Sequence, residues 1–329
     1  MISKRKKIIS FTVTAAALAV LFLLSVNTGS IDLSPMRLIR GLFISYDPDV
    51  ATVYDLRFPR IFISMAGGSA TAVSGVLLQA VLKNPLADPG IIGISSGASL
   101  TAVLVTAFVP SLYFFTPLIA FGGGLAAFGL VYSLSWKGGL SPLRIILVGV
   151  AVNSMFTGLM SAFNSGTGSN YSGVASIVNA NITMKTWDDF ETLLAYSLIG
   201  LAASLVLTGK CDLLALEDKT ARSIGVNVSG SRTAVSLTAV LLAGISTAII
   251  GPISFLGLIV PHIARLLVGS GHKTLIPYSI LLGAFVLLLA DTAGRTVAAP
   301  YEISASVIMA VAGGPFFIFL LRRSKQNYG

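Results

Sequence analysis

The chain has 329 residues, 54% of them hydrophobic and 11% charged, with a mean hydropathy of +0.87. A soluble domain carries about 25% charged residues, so this composition excludes a soluble globular or disordered protein. One cysteine (Cys211) and two histidines (His262 and His272) exclude a disulfide scaffold, a thiolate metal site and a His-rich metal site.

The apolar residues fall in blocks of about 20, the length that crosses a ~30 Å hydrocarbon core. Ten blocks are read, at 8–27, 61–82, 92–110, 114–135, 143–165, 190–208, 233–251, 254–268, 275–298 and 303–321. The expected fold is therefore an all-α integral membrane protein, one domain spanning 1–329 with about ten transmembrane helices. The first block follows Lys4, Arg5, Lys6 and Lys7. A cleavable signal has an apolar core of about 7–15 residues; this core is longer and further spans follow, so it reads as a retained first span. The outer segment 28–60 holds Asp32, then Ser34 and Pro35, which predict a capped short helix. It ends at Asp55, Arg57, Pro59 and Arg60. After the second block comes a bend, Asn84-Pro85-Leu86-Ala87-Asp88-Pro89-Gly90. A comparable bend, Gly251-Pro252 through Gly257, interrupts the start of the short eighth block and predicts a broken or tilted span. The two bends follow spans of opposite direction, the pattern of inverted repeats, or they resemble one another by coincidence. The outer segment 166–189 is rich in Gly, Ser and Asn and reads as mobile surface. Small residues recur inside the spans, at Gly67-Gly68, Gly93 with Gly97, Gly122 to Gly124 and Gly313-Gly314, and predict close helix packing within the chain.

With the N-terminus inside, alternation places most of the 22 basic residues on the cytoplasmic side and only Arg37, Arg40, Arg57, Arg60, Lys185 and Arg295 outside. The positive-inside rule thus predicts both termini in the cytoplasm. The net charge of +9 reflects this topology and not nucleic-acid binding, since the basic residues are dispersed among loops.

No catalytic cluster is present. The stretch Gly271-His272-Lys273-Thr274 lacks the glycine before lysine that a phosphate-binding loop requires. Ionisable residues inside the spans are scarce, which argues against proton coupling; Asp291 and Arg295, four apart, predict an intrahelical ion pair. The most charged internal stretch is the cytoplasmic loop 211–232. Leu213, Leu214 and Leu216 open it, Glu217, Asp218, Lys219 and Arg222 give it a polar face, and Gly225 suits a helix C-cap, so two short helices are predicted. Its acids at 217 and 218 fit a protein partner better than an anionic membrane surface. Arg57 and Arg60 are read as exposed outer arginines, either snorkelling at the interface or pairing with carboxylates of a soluble partner. An ion-coupled secondary transporter remains the alternative to a subunit driven by a partner.

Specific stretches carry a resemblance: Leu56-Arg57-Phe58-Pro59-Arg60; Ser74-Gly75 to Gln79; Asn84 to Gly90; Gly93 to Gly97; Leu216 to Gly225; Phe255 to Arg265; Asp291 with Arg295; and Gly314-Pro315-Phe316-Phe317. In this order the chain resembles the permease subunits of the iron-siderophore and cobalamin type of ABC importer, the FecCD family. The resemblance implies ten helices per subunit and a pair of permeases, identical or homologous, over two ABC ATPase subunits. It also implies delivery of cargo by an extracellular substrate-binding lipoprotein. It implies that Leu216, Glu217, Asp218, Ala221, Arg222, Ile224 and Gly225 form the coupling helices against the ATPase. Arg57, Arg60 and Arg295 match positions that meet glutamates of the binding protein. Asn84 and Leu86 match the cytoplasmic gate, and Pro142 and Leu143 border the path. The implied cargo is a ferric siderophore ahead of cobalamin or heme, with no cofactor or metal held by the permease, in a bacterial cell membrane. Two outer features depart from the family: Pro300-Tyr301-Glu302-Ile303-Ser304-Ala305-Ser306 has serines where proline and glycine are usual, and 166–187 lacks the usual tryptophan-glycine pattern.

Overall fold

The computed structural model describes residues 2–29, 31, 33–135, 142–166 and 174–325, the side chains of 142, 175, 176, 319 and 321–325 excepted. Asp32, Lys137 and the Gly/Ser/Asn-rich part of 166–189 lie outside the described residues. Among the described residues the regular structure is entirely helical. In chain order the helices are α1 (Lys4–Asn27), α2 (Pro35–Phe43), α3 (Pro48–Leu56), α4 (Phe58–Leu82), α5 (Pro89–Ile92) and α6 (Ile94–Phe108). A 3-10 turn at Pro110–Phe115 leads into α7 (Thr116–Ser135), then α8 (Pro142–Gly166), α9 (Val174–Val178), α10 (Trp187–Val206), α11 (Thr208–Leu214) and α12 (Asp218–Ser223). The chain continues through α13 (Val228–Ile250), α14 (Leu256–Val268), α15 (His272–Val297) and α16 (Ala305–Lys325).

Seven of these stretches are long and apolar enough to cross a membrane: α1, α3 running into α4, the 3-10 turn with α7, α8, α10, α13 and α15. The three shorter apolar helices, α6, α14 and Ala305–Ile318 of α16, fall on the remaining predicted blocks. In the outer segment Ser34 Oγ accepts from Arg37 N at 3.2 Å, so the predicted cap of α2 forms. Helix α1 packs on α15, where Thr14 Oγ1 and Tyr278 Oη lie 2.8 Å apart and Phe11 meets the Tyr278 ring edge-on.

Helix α4 is the axis of the bundle. Nearly all of its 25 residues are buried, against α10, α13, α14 and α15. Lipid tails are as apolar as leucine, so close packing rather than water exclusion must hold these helices together. Glycines allow that approach at two points. A Cβ on Gly68 would fall on the Gly283 carbonyl of α15, and one on Gly75 on the Gly257 carbonyl of α14. Buried hydroxyls add interhelical hydrogen bonds: Ser74 Oγ donates to Ala239 O at 2.7 Å, Ser246 Oγ to Gly67 O at 3.0 Å and Ser69 Oγ to Ile280 O at 2.8 Å. Such bonds average about 0.6 kcal/mol each in membrane bundles, so they fix register while packing supplies most of the cohesion.

The two Gly/Pro bends pack on each other. Asp88 caps α5, accepting from Gly90 N at 2.8 Å and Ile91 N at 3.1 Å. Its other carboxylate oxygen lies against Gly257, and Gly90 lies against Ser254. Gln79 of α4 joins both bends, donating to Ala87 O and Gly257 O at 3.2 Å each. Helix α14 is short, at 13 residues, because it starts from the second bend; α6, at 15 residues, starts at the left-handed Gly93 that ends α5.

Candidate functional site

On the outer side, Arg57, Arg60 and Arg295 converge on one cavity of about 680 Å³, which Thr183 and Glu302 also line. Arg60 projects inward from the first turn of α4. Its Nε and Nη2 donate to Asp291 of α15 at 2.9–3.1 Å, and its Nη1 donates to Glu302 Oε2 at 2.9 Å. Glu302 also accepts from Thr183 Oγ1 at 2.7 Å. Burial would raise the Glu302 pKa, but the bonds from Thr183 and Arg60 outweigh it and hold the carboxyl below its ordinary value. The predicted Asp291–Arg295 pair is present, with Arg295 Nε 3.3 Å from Asp291 Oδ2 but out of hydrogen-bond alignment. Arg295 also donates to Ser25 Oγ and to the carbonyls of Ser25 and Thr28 at the end of α1. Arg57 Nη1 donates to Val26 O at 2.6 Å and Ile31 O at 2.9 Å.

The expectation of exposed, snorkelling arginines is corrected here. Arg60 is 7% exposed and Asp291 1%. The reason is electrostatic: a buried guanidinium must be matched by acceptors, and Asp291, Glu302 and the carbonyls in and just after the last turn of α1 supply them for the three arginines. Sequence reasoning paired Asp291 with Arg295 and missed Arg60 and Glu302 as partners. The available signal was Asp291 itself, a carboxylate in an apolar helix that also demands a cation. The serines that depart from the family pattern, Ser304 and Ser306, lie with their hydroxyls 2.9 Å apart at the start of α16.

Asn84 and Leu86, the positions expected to gate the path, share one turn: Asn84 is buried and its Oδ1 accepts from Leu86 N at 2.9 Å. Asn84 Nδ2 is buried without a partner. Pro142 and Leu143 begin α8, where Leu143 is exposed; the Pro142 side chain lies outside the described residues. The two pairs are linked through α5, whose Ile91 and Ile92 pack on Gly149 of α8.

The loop 211–232 forms the two expected short helices, α11, which begins earlier at Thr208, and α12. Gly225 follows α12 in left-handed conformation, φ +83°. Leu214 and Ala221 are buried and anchor the loop, while Leu216, Glu217, Arg222, Ile224 and Gly225 are exposed. Asp218 does something the sequence did not disclose. It pairs with Lys83 at the end of α4 at 2.9 Å and with Arg232 of α13 at 3.2 Å. Lys83 Nζ also donates to Leu216 O. The hydrogen bond from Lys83, with help from Arg232, holds the Asp218 carboxyl below its ordinary pKa. The loop is therefore tethered to α4, the same helix whose other end carries Arg57 and Arg60.

A bundle of apolar helices around one buried axis, with a folded charged loop beyond its end, is the architecture of a multi-span membrane protein. Solved structures give the class. The chain is similar to a metal-chelate type ABC transporter in an inward-facing conformation, with a TM-score of 0.75 and 26% identity over 96% of this chain and 99% of that one. It also shares its fold with PsaBC of Streptococcus pneumoniae, solved with a Fab, at a TM-score of 0.60 and 16% identity over 87% and 95% of the two chains. Residues 17–323 match the FecCD transport family, and the chain belongs to it. It is 40% identical over 327 residues, 99% of each chain, to the heme-iron transport system permease protein IsdF of Staphylococcus aureus strain MSSA476. Identity to the same-named protein of strain Newman is 39% over the same length. The chain is a multi-pass ABC-type permease of the bacterial cytoplasmic membrane.

Proposed function

We propose that the chain is the transmembrane subunit of an ATP-driven importer that carries an iron chelate inward from an extracellular binding protein. The observation that carries this reading is the Asp218 tether: an exposed loop salt-bridged to the axial helix α4 is built to pass a push from a cytoplasmic partner into the bundle. Two copies, or this chain and a homologue, would enclose the path and sit over two ABC ATPase subunits that hydrolyse ATP. Leu216, Glu217, Arg222, Ile224 and Gly225 would face the ATPase, with buried Ala221 seating their helix on the bundle. Asn84, Leu86, Pro142 and Leu143 would border the path at the inner side. Carboxylates of the binding protein would reach Arg57, Arg60 and Arg295 through the outer cavity, drawn by three guanidiniums against the two acids Asp291 and Glu302.

The cargo is proposed to be a ferric siderophore, the commonest class for this family. A second reading, heme, is favoured by the full-length likeness to IsdF. A bulky chelate already holds its metal, so a wide and weakly binding path is enough, and affinity is left to the binding protein. Uptake assays in a strain lacking the chain, complemented by it, would use radiolabelled ferric siderophores and heme side by side. Restored uptake of one class assigns the cargo. Failure to restore either would refute an iron-chelate importer.

A further inference from the structure

Helix α2, on the outer side, is apolar on two faces. One face is buried. Leu38 and Leu42 pack into the cluster that holds Leu21 of α1, Val53 of α3 and Phe58 of α4. A Cβ on Gly41 would meet the Val50 side chain, so α2 sits tightly on α3. The other face is open. Met36, Ile39 and Phe43 are 75%, 52% and 81% exposed, and their spacing of three and four residues aligns them in one stripe. Arg40 borders that stripe, exposed and in no ion pair among the described residues. Arg37, further round the helix, is held by Asp47 and Asp49.

The height of the stripe follows from its neighbours. Phe43 shares a groove of about 520 Å³ with Tyr54 of α3, Phe58 and Phe62 of α4, and Trp187, the first residue of α10. Helices α4 and α10 both belong to membrane spans. The 25 residues of α4 reach about 37 Å, more than the ~30 Å hydrocarbon core. Its first turn therefore lies at the outer boundary of the bilayer, the level where tyrosine and tryptophan gather. Of the two acids lining the groove, Asp47 is neutralised by Arg37 and Asp55 is exposed, free to remain hydrated. The groove also faces away from the arginine cavity. Tyr54, Phe58 and Phe62 recur every four residues on one side, whereas Leu56 and Arg60, which line the cavity, lie about half a turn round the helix.

We propose that α2 lies in the outer leaflet, with Met36, Ile39 and Phe43 among the upper acyl chains and Arg40 on a lipid phosphate. A helix too short to span, with an outward apolar stripe and an arginine at its edge, has the pattern of an interfacial helix. The Arg40 guanidinium has its donors open for charge-assisted pairing with phosphate oxygens. The lipid-facing surface then runs without a break from the aromatic floor of the groove, along which an acyl chain can lie, onto α2. Seated in this way, α2 holds α3 and the start of α4 at a fixed depth, and with them Arg57 and Arg60. That consequence for docking rests on the proposed function, whereas the seating itself does not.

The test is spin-label accessibility in the full-length protein, reconstituted in phospholipid nanodiscs. The native Cys211 is buried, so nitroxides attach to introduced cysteines. Ile39→Cys and Phe43→Cys report on the stripe. Val13→Cys in α1 and Ile224→Cys in the cytoplasmic loop, at side chains 61% and 59% exposed, are the lipid and water references. All four positions are exposed, so the labels leave the core in place. Molecular oxygen concentrates in lipid, and a nickel chelate stays in water. The expected result is oxygen collision at positions 39 and 43 as at 13, at a depth of about 5–10 Å into the boundary between headgroups and acyl chains, with the nickel chelate reaching position 224. Nickel-chelate collision at 39 and 43 equal to that at 224 overturns the proposal, since the stripe would then stand in water. Protection of both positions from both reagents overturns it as well, because a second copy of the chain would then cover them. Loss of oxygen access at both positions when the binding protein is added would also overturn it and assign the stripe to that partner.

Discussion

Replacing Asp291 with leucine should be among the most damaging single changes in this protein. The carboxylate is 1% exposed and accepts three hydrogen bonds from Arg60 at 2.9–3.1 Å, with Arg295 3.3 Å away. Its removal leaves two buried guanidiniums facing each other with only Glu302 and backbone carbonyls to compensate. Breaking one partner of a buried pair costs about 3–5 kcal/mol, mostly from the orphaned charge. Replacing both ions by apolar residues of similar volume is often close to neutral. The double variant Arg60→Met with Asp291→Leu should therefore be more stable than Asp291→Leu alone, with a coupling energy of about 2 kcal/mol or more in a double-mutant cycle. Residual cost in the double variant is expected, because Arg295 still loses its Asp291 pair. Chemical unfolding of the four proteins in detergent micelles measures this. Strictly additive costs would show that the network does not hold the outer ends of α4 and α15 together, and the argument from buried charge would fail.

Gly75→Leu should prevent α4 from seating on α14, since even a Cβ there meets the Gly257 carbonyl; Gly122→Leu, with nothing near its Cβ position, should yield folded protein in normal amounts. Size-exclusion profiles of the two variants compare them, and a normal Gly75→Leu profile would contradict the packing account. Asp218→Lys should uncouple ATP hydrolysis from transport while leaving the protein inserted, because it repels both Lys83 and Arg232; transport and ATPase rates in proteoliposomes decide, and normal uptake would remove the tether from the mechanism. The Asp218 pKa is lowered in the folded loop, so its contribution is fully present above the ordinary value of 3.8 and is lost only as pH falls through the lower folded value. The amide protection factors of 216–226, exchange corrected for its intrinsic pH dependence, should thus hold steady from neutral pH down to about the ordinary carboxylate pKa, and a loss of protection already near pH 6 would refute that assignment. Arg57→Glu should weaken binding-protein affinity by about tenfold or more while sparing the Arg60–Asp291 pair; unchanged affinity would return Arg57 to a purely structural role holding the end of α1.

Local features of the fold were legible because their causes are local. Ser34 and Pro35 announce α2, Gly251 and Pro252 announce the broken start of α14, and Gly225 announces the end of α12. The apolar blocks mark the spans because lipid forbids unpaired backbone. Contacts across the chain were not legible. Nothing near Arg60 says that its partner is Asp291, and nothing near Asp218 says that Lys83 and Arg232 share it. Such pairings depend on which helix faces abut, and in an apolar bundle the faces differ by single small residues such as Gly75 and Gly257. Arg57, Arg60 and Arg295 were grouped in the sequence and do line one cavity, but the burial of Arg60 was read wrongly, because hydropathy reports where a residue lies along a helix and not which way it points.

The account turns on whether this permease is driven by a cytoplasmic ATPase. The direct measurement is purification of the chain from native membranes in mild detergent, identification of every partner by mass spectrometry, and reconstitution of that assembly for chelate uptake. The account predicts an ABC ATPase in the complex and uptake that requires ATP and the binding protein. A chain that purifies without an ATPase, with uptake abolished by a protonophore and indifferent to ATP, would contradict it and identify an ion-coupled transporter.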